Sequence, residues 1–153
     1  MIIHIPKISP DGSRYSGEHP PEMLDLGEDR FIRAHAPITY ELTVQIVSDQ
    51  VIVQGELETN LDLRCVACAD FFSTTITVSS FLRAYTLQSG LETIDITDEI
   101  REEILLAVPY YPRGELDENE VCRQCGKSKE ELSVNPGPEK PPAVWDQLDN
   151  LKL

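Results

Sequence analysis

The residues in this chain best suited to chemistry are its four cysteines, which fall into two pairs: Cys65-Val66-Ala67-Cys68 and Cys122-Arg123-Gln124-Cys125, the second followed by Gly126. A C-x-x-C turn aims two thiolates at one point, and two such turns complete the tetrahedral sulfur shell of a single structural Zn2+. Gly126 suits this role, because a glycine after the second cysteine lets the backbone turn tightly around an ion. The pairs are 53 residues apart, far beyond the spacing of most zinc modules, so a shared ion ties the middle of the chain to its C-terminal third. Thiol–disulfide exchange is the competing chemistry. Against it, neither pair opens a helix after a strand in a βαβ setting, the context that lowers a thiol pKa. A hydrolytic zinc keeps an open position with His or carboxylate ligands, whereas every candidate ligand here is a cysteine. No H-E-x-x-H, P-loop or nucleophile elbow is present, so no enzyme is expected. His4, His19 and His35 lack metal-ligand spacing and read as surface or turn histidines.

Composition bounds the rest. With 153 residues and 41% hydrophobic content the chain can bury one core. The longest apolar run is Ile104 to Val108, too short to span a membrane, and the opening residues do not form a signal peptide, so a cytoplasmic location with reduced thiols is expected. The net charge is −14, from 27 acidic against 13 basic residues. Such a surface repels phosphate backbones at long range, so RNA contact needs a local basic patch, and a basic protein suits the whole better.

Several elements must position the cysteines. Ile2 to Ile5 reads as a strand ended by Pro6, and residues 6–37 as irregular, with turn signals at Pro10-Asp11-Gly12, Ser16-Gly17 and Pro20-Pro21 and a short pinned segment around Met23, Leu24 and Leu26. Ile38 to Ile46 alternates apolar and polar residues with period two. A second strand places Val51, Val53, Gly55, Leu57, Thr59, Leu61, Leu63 and Cys65 on one side, and its length predicts a bulge or bend near Gly55. A third runs from Phe71 to Tyr85, which sets the first cysteine pair at a hairpin tip. Thr93 to Ile96 offers a further short strand. A helix follows with Thr97 as N-cap, a stripe of Ile100, Ile104, Leu105 and Val108, and Pro109 as its stop. Glu115 to Glu120 reads as a solvated acidic loop, and Lys127 to Leu132 as one helical turn. The expected fold is α+β: a twisted antiparallel meander, whose closure into a barrel is left open, one main packed helix and a bipartite zinc-knuckle site. Residues 1–135 form the single domain. Residues 136–153 form a proline-rich linker and a short C-terminal helix carrying Val144, Trp145, Leu148 and Leu151, which either docks on the core or binds a partner.

The ordered series of strand pair, Cys65/Cys68, Glu102-Glu103-Ile104-Leu105-Leu106-Ala107-Val108-Pro109, Cys122/Cys125 and Trp145/Leu148 resembles the YceD family, bacterial and plastid proteins associated with accumulation of large-subunit ribosomal RNA. The resemblance covers residues 38–153. It implies a non-catalytic cytoplasmic factor in large-subunit ribosome biogenesis, supporting 23S ribosomal RNA synthesis, processing or accumulation, with Cys65, Cys68, Cys122 and Cys125 as its metal or structural site. The implied partners are the large-subunit ribosomal RNA precursor, a basic ribosomal protein, or both. Members often carry a basic residue inside the first pair, where this chain has Val66 and Ala67 with Arg64 just outside. An RNA contact made there in relatives is therefore made by another residue here, or not at all. Arg64, Arg123, Lys127 and Lys129 cluster around the two pairs and, with Trp145, are the expected RNA or partner contacts; alternatively, they offset the negative charge of a Zn(Cys)4 centre. A redox protein and a zinc-stabilised interaction module unrelated to ribosomes are the other two readings.

Overall fold

The computed structural model describes residues 1–133. Its core is an antiparallel sheet in which β4 (Ile38–Val47), β5 (Gln50–Arg64) and β6 (Phe71–Thr86) follow one another as a meander. The period-two pattern decides which face is buried: Val51, Val53, Leu57, Thr59, Leu61 and Leu63 all point inward from β5, and Cys65 just past its end is buried too. Against that face lies α1 (Thr97–Leu106), which inserts Ile100 and Ile104. Arg83 of β6 binds Glu103 at 2.7 Å, and Tyr85 donates to Glu99 at 2.9 Å, fixing the rotation of the helix. The helix starts one residue earlier than Thr97 as N-cap implies. Ile96 occupies the cap position, and the Thr97 hydroxyl instead donates to Asp95, whose carboxylate also accepts the Thr97 N–H at 3.0 Å. Those hydroxyl and amide bonds, reinforced by the amino terminus, hold the Asp95 carboxyl down at about 2.

The N-terminal region departs from the irregular connection expected over residues 6–37. After β1 (Ile2–His4) and a tight turn at Pro6, β2 (Ser13–His19) pairs with β4 along its length, and β3 (Ile32–Ala34) pairs with the far end of β5. β2 is an outer strand without an apolar alternation, which leaves its sequence without a strand signature. Ser16-Gly17, a turn signal in the sequence, sits mid-strand because Gly17 lies over the Tyr40 ring; a Cβ there would stand 2.8 Å from the Tyr40 hydroxyl. The Pro21–Leu24 turn pins Leu24 fully inside, as the Met23–Leu26 segment predicts. β1 pairs with β7 (Thr93–Asp95) in a separate two-stranded ladder. Among the described residues no pairing joins β2 to β6, so the sheet stays open.

The irregularity expected near Gly55 is present, and its extra residue lies on the facing strand. Gly55 pairs with Phe81 and Leu57 with Val78, leaving Ser79 and Ser80 opposite Glu56. This bulge shifts the inward phase of β6 from Ile76 and Val78 to Phe81. It also presses Gly55 against β4, where a Cβ would come within 2.0 Å of the Glu41 carbonyl oxygen. Backbone, not a movable side chain, blocks that space. Gly55→Ala is therefore expected to cost about 3 kcal/mol, read as a lowered urea midpoint with an unchanged slope. A loss below ~0.5 kcal/mol would show that β4 moves aside freely.

Candidate metal centre

The β5–β6 hairpin ends in a knuckle built on Cys65 and Cys68. The Cys65 N–H donates to the Asp70 carbonyl at 2.8 Å, and the Ala69 N–H donates back to the Cys65 carbonyl at 2.9 Å. The second pair repeats this pattern bond for bond: Cys122 N–H to the Lys127 carbonyl at 2.8 Å, and Gly126 N–H to the Cys122 carbonyl at 2.8 Å. In both, the residue after the second cysteine is left-handed, Ala69 at φ 64° and Gly126 at φ 70°. Gly126 thus does what its sequence position predicts. Ala69 adopts the same conformation against the steric preference of a residue with a Cβ.

The two knuckles meet in one four-cysteine cluster. The Sγ atoms of Cys68, Cys122 and Cys125 lie within 4.8 Å of one another, and Cys68 to Cys122 is 3.9 Å. A tetrahedral zinc with Zn–S bonds of about 2.3 Å has sulfur–sulfur edges of about 3.8 Å, so this spacing fits. The Cys65 thiol faces that of Cys68, which makes Cys68 the sulfur in contact with the other three. Cys65 and Cys122 are buried, and four soft sulfurs are the donor set of a closed structural site.

The electrostatics follow from crowding. Burial, with smaller contributions from the neighbouring thiols, pushes Cys68 up to about 12. At Cys65 burial acts in the same direction, but amide hydrogen bonds from Gly114, Cys68 and Ala67 outweigh it and lower the pKa. Cys122 is lowered chiefly by the Cys125 and Gln124 amides. Each knuckle therefore favours the thiolate form of its leading cysteine, and gathering further thiolates around Cys68 would call for a cation. A bound Zn2+ would supply that charge and hold the hairpin tip to the second knuckle.

Residues 112–116 form a strut that the sequence pattern did not single out. The Pro112 carbonyl accepts the Val66 N–H at 2.9 Å and the Gly114 amide bonds Cys65, both toward the first knuckle. The Glu115 carbonyl accepts the Arg123 N–H at 3.1 Å and Leu116 bridges Cys122, both toward the second. Glycine at 114 leaves room for Gln124, whose side-chain oxygen would otherwise sit 2.2 Å from a Cβ. Pro-Arg-Gly was the only signal available for this strut.

The expected contact residues are partly engaged within the protein. Arg64 donates Nε to the Ala69 carbonyl at 2.8 Å and so clamps the first knuckle. Arg123 pairs with Glu115 at 3.0 Å and Lys129 with Glu120 at 2.6 Å. The acidic stretch Glu115 to Glu120 is thus exposed yet structured, with the Asp117 carboxylate accepting the Asn119 and Val121 amides at 2.9 Å each. Lys127 is exposed and makes no ion pair among the described residues. The helical turn expected after the second knuckle is α2 (Lys129–Ser133), entered through a capping box in which Ser128 and Glu131 bond reciprocally. Trp145, the proline-rich linker and the C-terminal helix lie outside the described residues. His4 and His35 are exposed, whereas His19 stacks half-buried on Tyr40 with 5.2 Å between ring centres. Comparison with family models, curated proteins and solved structures gives no match to this chain.

Two measurements test the centre. Ala69→Gly relieves the left-handed strain in the first knuckle and should stabilise by about 1 kcal/mol, while Gly126→Ala should destabilise by at least as much. Opposite shifts of the two urea midpoints would establish the shared geometry; equal shifts would refute it. Protein purified without chelator should carry one Zn2+ per chain with its thiols unreactive until the metal is removed, and Cys68→Ser or Cys122→Ser should abolish retention. A structural zinc contributes on the order of 10 kcal/mol, so chelation should lower the melting temperature steeply. Metal-free protein with one fast-reacting thiol would favour the redox alternative.

Proposed function

We propose that this protein is a non-catalytic, zinc-stabilised factor in assembly of the large ribosomal subunit. The observation that carries the proposal is the convergence of two distant C-x-x-C knuckles, in which the sulfurs of Cys68, Cys122 and Cys125 cluster and Cys65 joins through Cys68, a donor set of closed, structural type. The ribosomal role is supported by the ordered resemblance to the YceD family described above. In this reading Cys65, Cys68, Cys122 and Cys125 hold one Zn2+, and the knuckles present a rigid end of the molecule to a partner. Arg30, Arg33, Arg64, Arg113, Arg123, Lys127 and Lys129, seven of the eleven lysines and arginines in residues 1–133, lie on segments that converge near that end, which supports precursor ribosomal RNA as the direct contact.

A second surface favours a basic ribosomal protein as an additional contact. Glu41 and Glu56 face each other across β4 and β5 on the outer side of the sheet, with Glu58 and Glu18 on the same face. Like charges directly opposed cost stability, and a basic partner would relieve that cost.

Crosslinking pull-down of tagged protein from its own host, at low and at moderate salt, tests both contacts. The expected result is large-subunit precursor RNA, crosslinked directly and falling with added salt as phosphate contacts do. A basic ribosomal protein recovered without RNA would make the acidic sheet face the primary contact. Recovery of neither would overturn the ribosomal assignment and leave a zinc-stabilised domain of other purpose.

A further inference from the structure

The segment between α1 and the strut, Pro109-Tyr110-Tyr111-Pro112-Arg113, does something the metal centre does not require. Tyr110 is 91% exposed and Tyr111 80% exposed, the two largest exposures among the large apolar side chains of the described residues. Scattered apolar exposure is ordinary, but two adjacent aromatic rings left almost wholly in water are informative. They are not on a slack loop. Proline flanks them on both sides, and the Pro112 carbonyl is bonded to Val66 at the knuckle, so the backbone that carries them is fixed to the metal-bearing end. Arg113 is exposed, makes no ion pair among the described residues and lines one cleft with Val66, Leu116 and Lys129.

Rings with free faces beside an unpaired guanidinium suit a partner that combines planar groups with anionic charge. Resting on the ribosomal reading above, we infer that Tyr110 and Tyr111 form a stacking platform for unpaired bases of RNA, with Arg113 on the adjoining phosphate. Bases stacked within a duplex offer no face to such a platform, and duplex binding needs a long track of cations that a chain of net charge −14 does not provide. One or two splayed nucleotides need only the rings and a local cation, because aromatic stacking is short-ranged and indifferent to distant charge.

The test uses the full chain with its native metal content, a fluorescent single-stranded oligouridylate and oligoadenylate, and a duplex of equal length. Each Tyr→Ala substitution is expected to weaken single-strand binding about ten-fold, with Tyr→Phe close to wild type, while duplex binding stays weak throughout. Arg113→Gln is expected to reduce the salt dependence as well as the affinity. Because the rings are exposed, metal content and melting temperature should not change, which separates lost stacking from lost folding. Binding of host precursor RNA that is unaffected by Tyr110→Ala/Tyr111→Ala would overturn this inference while sparing the ribosomal assignment. Failure of the wild-type chain to crosslink any ribosomal RNA in its host would overturn both. Loss of a protein partner, and not of RNA, from the double variant would replace RNA as the occupant.

Discussion

Everything at the end that carries the cysteines depends on the β5–β6 ladder. The two strands pair from Gln50 and Thr86 to Arg64 and Phe71, and the knuckle starts at the residue where the ladder stops. A free C-x-x-C turn has many conformations and would lose much entropy on binding an ion. Here the Cys65–Asp70 and Ala69–Cys65 bonds close the turn as the last rung of a hairpin whose other end is buried in the core. The second knuckle has no such scaffold of its own. It is formed from isolated bridges at Leu116–Cys122 and Val121–Ser128, and borrows rigidity from the strut lying between it and the first. The strut therefore does for residues 115–128 what the sheet does for residues 65–70.

That division explains an asymmetry in sequence between two turns of the same shape. The second knuckle uses glycine where the backbone is left-handed, because no pair of long strands imposes the turn there. The first tolerates alanine, because two strands already impose the turn and absorb the strain. Arg64 adds to that restraint by holding the Ala69 carbonyl with its guanidinium. Its position just before the first cysteine is explained by this bond alone, so a role in charge compensation is not needed to account for it.

The sequence showed most of what depends on periodicity and little of what depends on partners. β4, β5, β6 and α1 were legible because each buries one face at its own repeat, Leu42 and Val44 on β4 or Ile100 and Ile104 on α1, and the hairpin position of Cys65-Cys68 followed from them. β2 was not, because it buries no residue fully and its half-buried positions are Ser13, Tyr15, Gly17 and His19, which make no apolar stripe, and Gly17, which reads as a turn, is there to clear Tyr40. The residue that shifts β6 out of phase lies at Ser79-Ser80, opposite Glu56 and next to the Gly55–Phe81 pair, so the glycine gave away only the neighbourhood. For the site, the cysteines and Gly126 were legible from spacing. The strut was not: Pro112, Gly114 and Glu115 act through backbone groups, which every residue has, and no side-chain pattern marks them.

A strongly acidic protein with a cation-dependent contact surface is no contradiction once distances are considered. The opposed glutamates Glu41 and Glu56 lie nine residues of extended chain from Cys65, about 30 Å at the rise of a strand. At physiological salt the field of exposed charges decays over about 8 Å, so the acidic sheet face has little influence at the hairpin tip. Nearer the knuckles the charges are matched locally, Arg123 by Glu115 and Lys129 by Glu120, while Asp117 spends its carboxylate on backbone amides. Exposed near the knuckles without an ion pair among the described residues are the cations Arg113 and Lys127 and the acids Asp70 and Glu118, beside the two exposed tyrosines, so the local charge there is mixed while the net charge of the chain governs long-range approach.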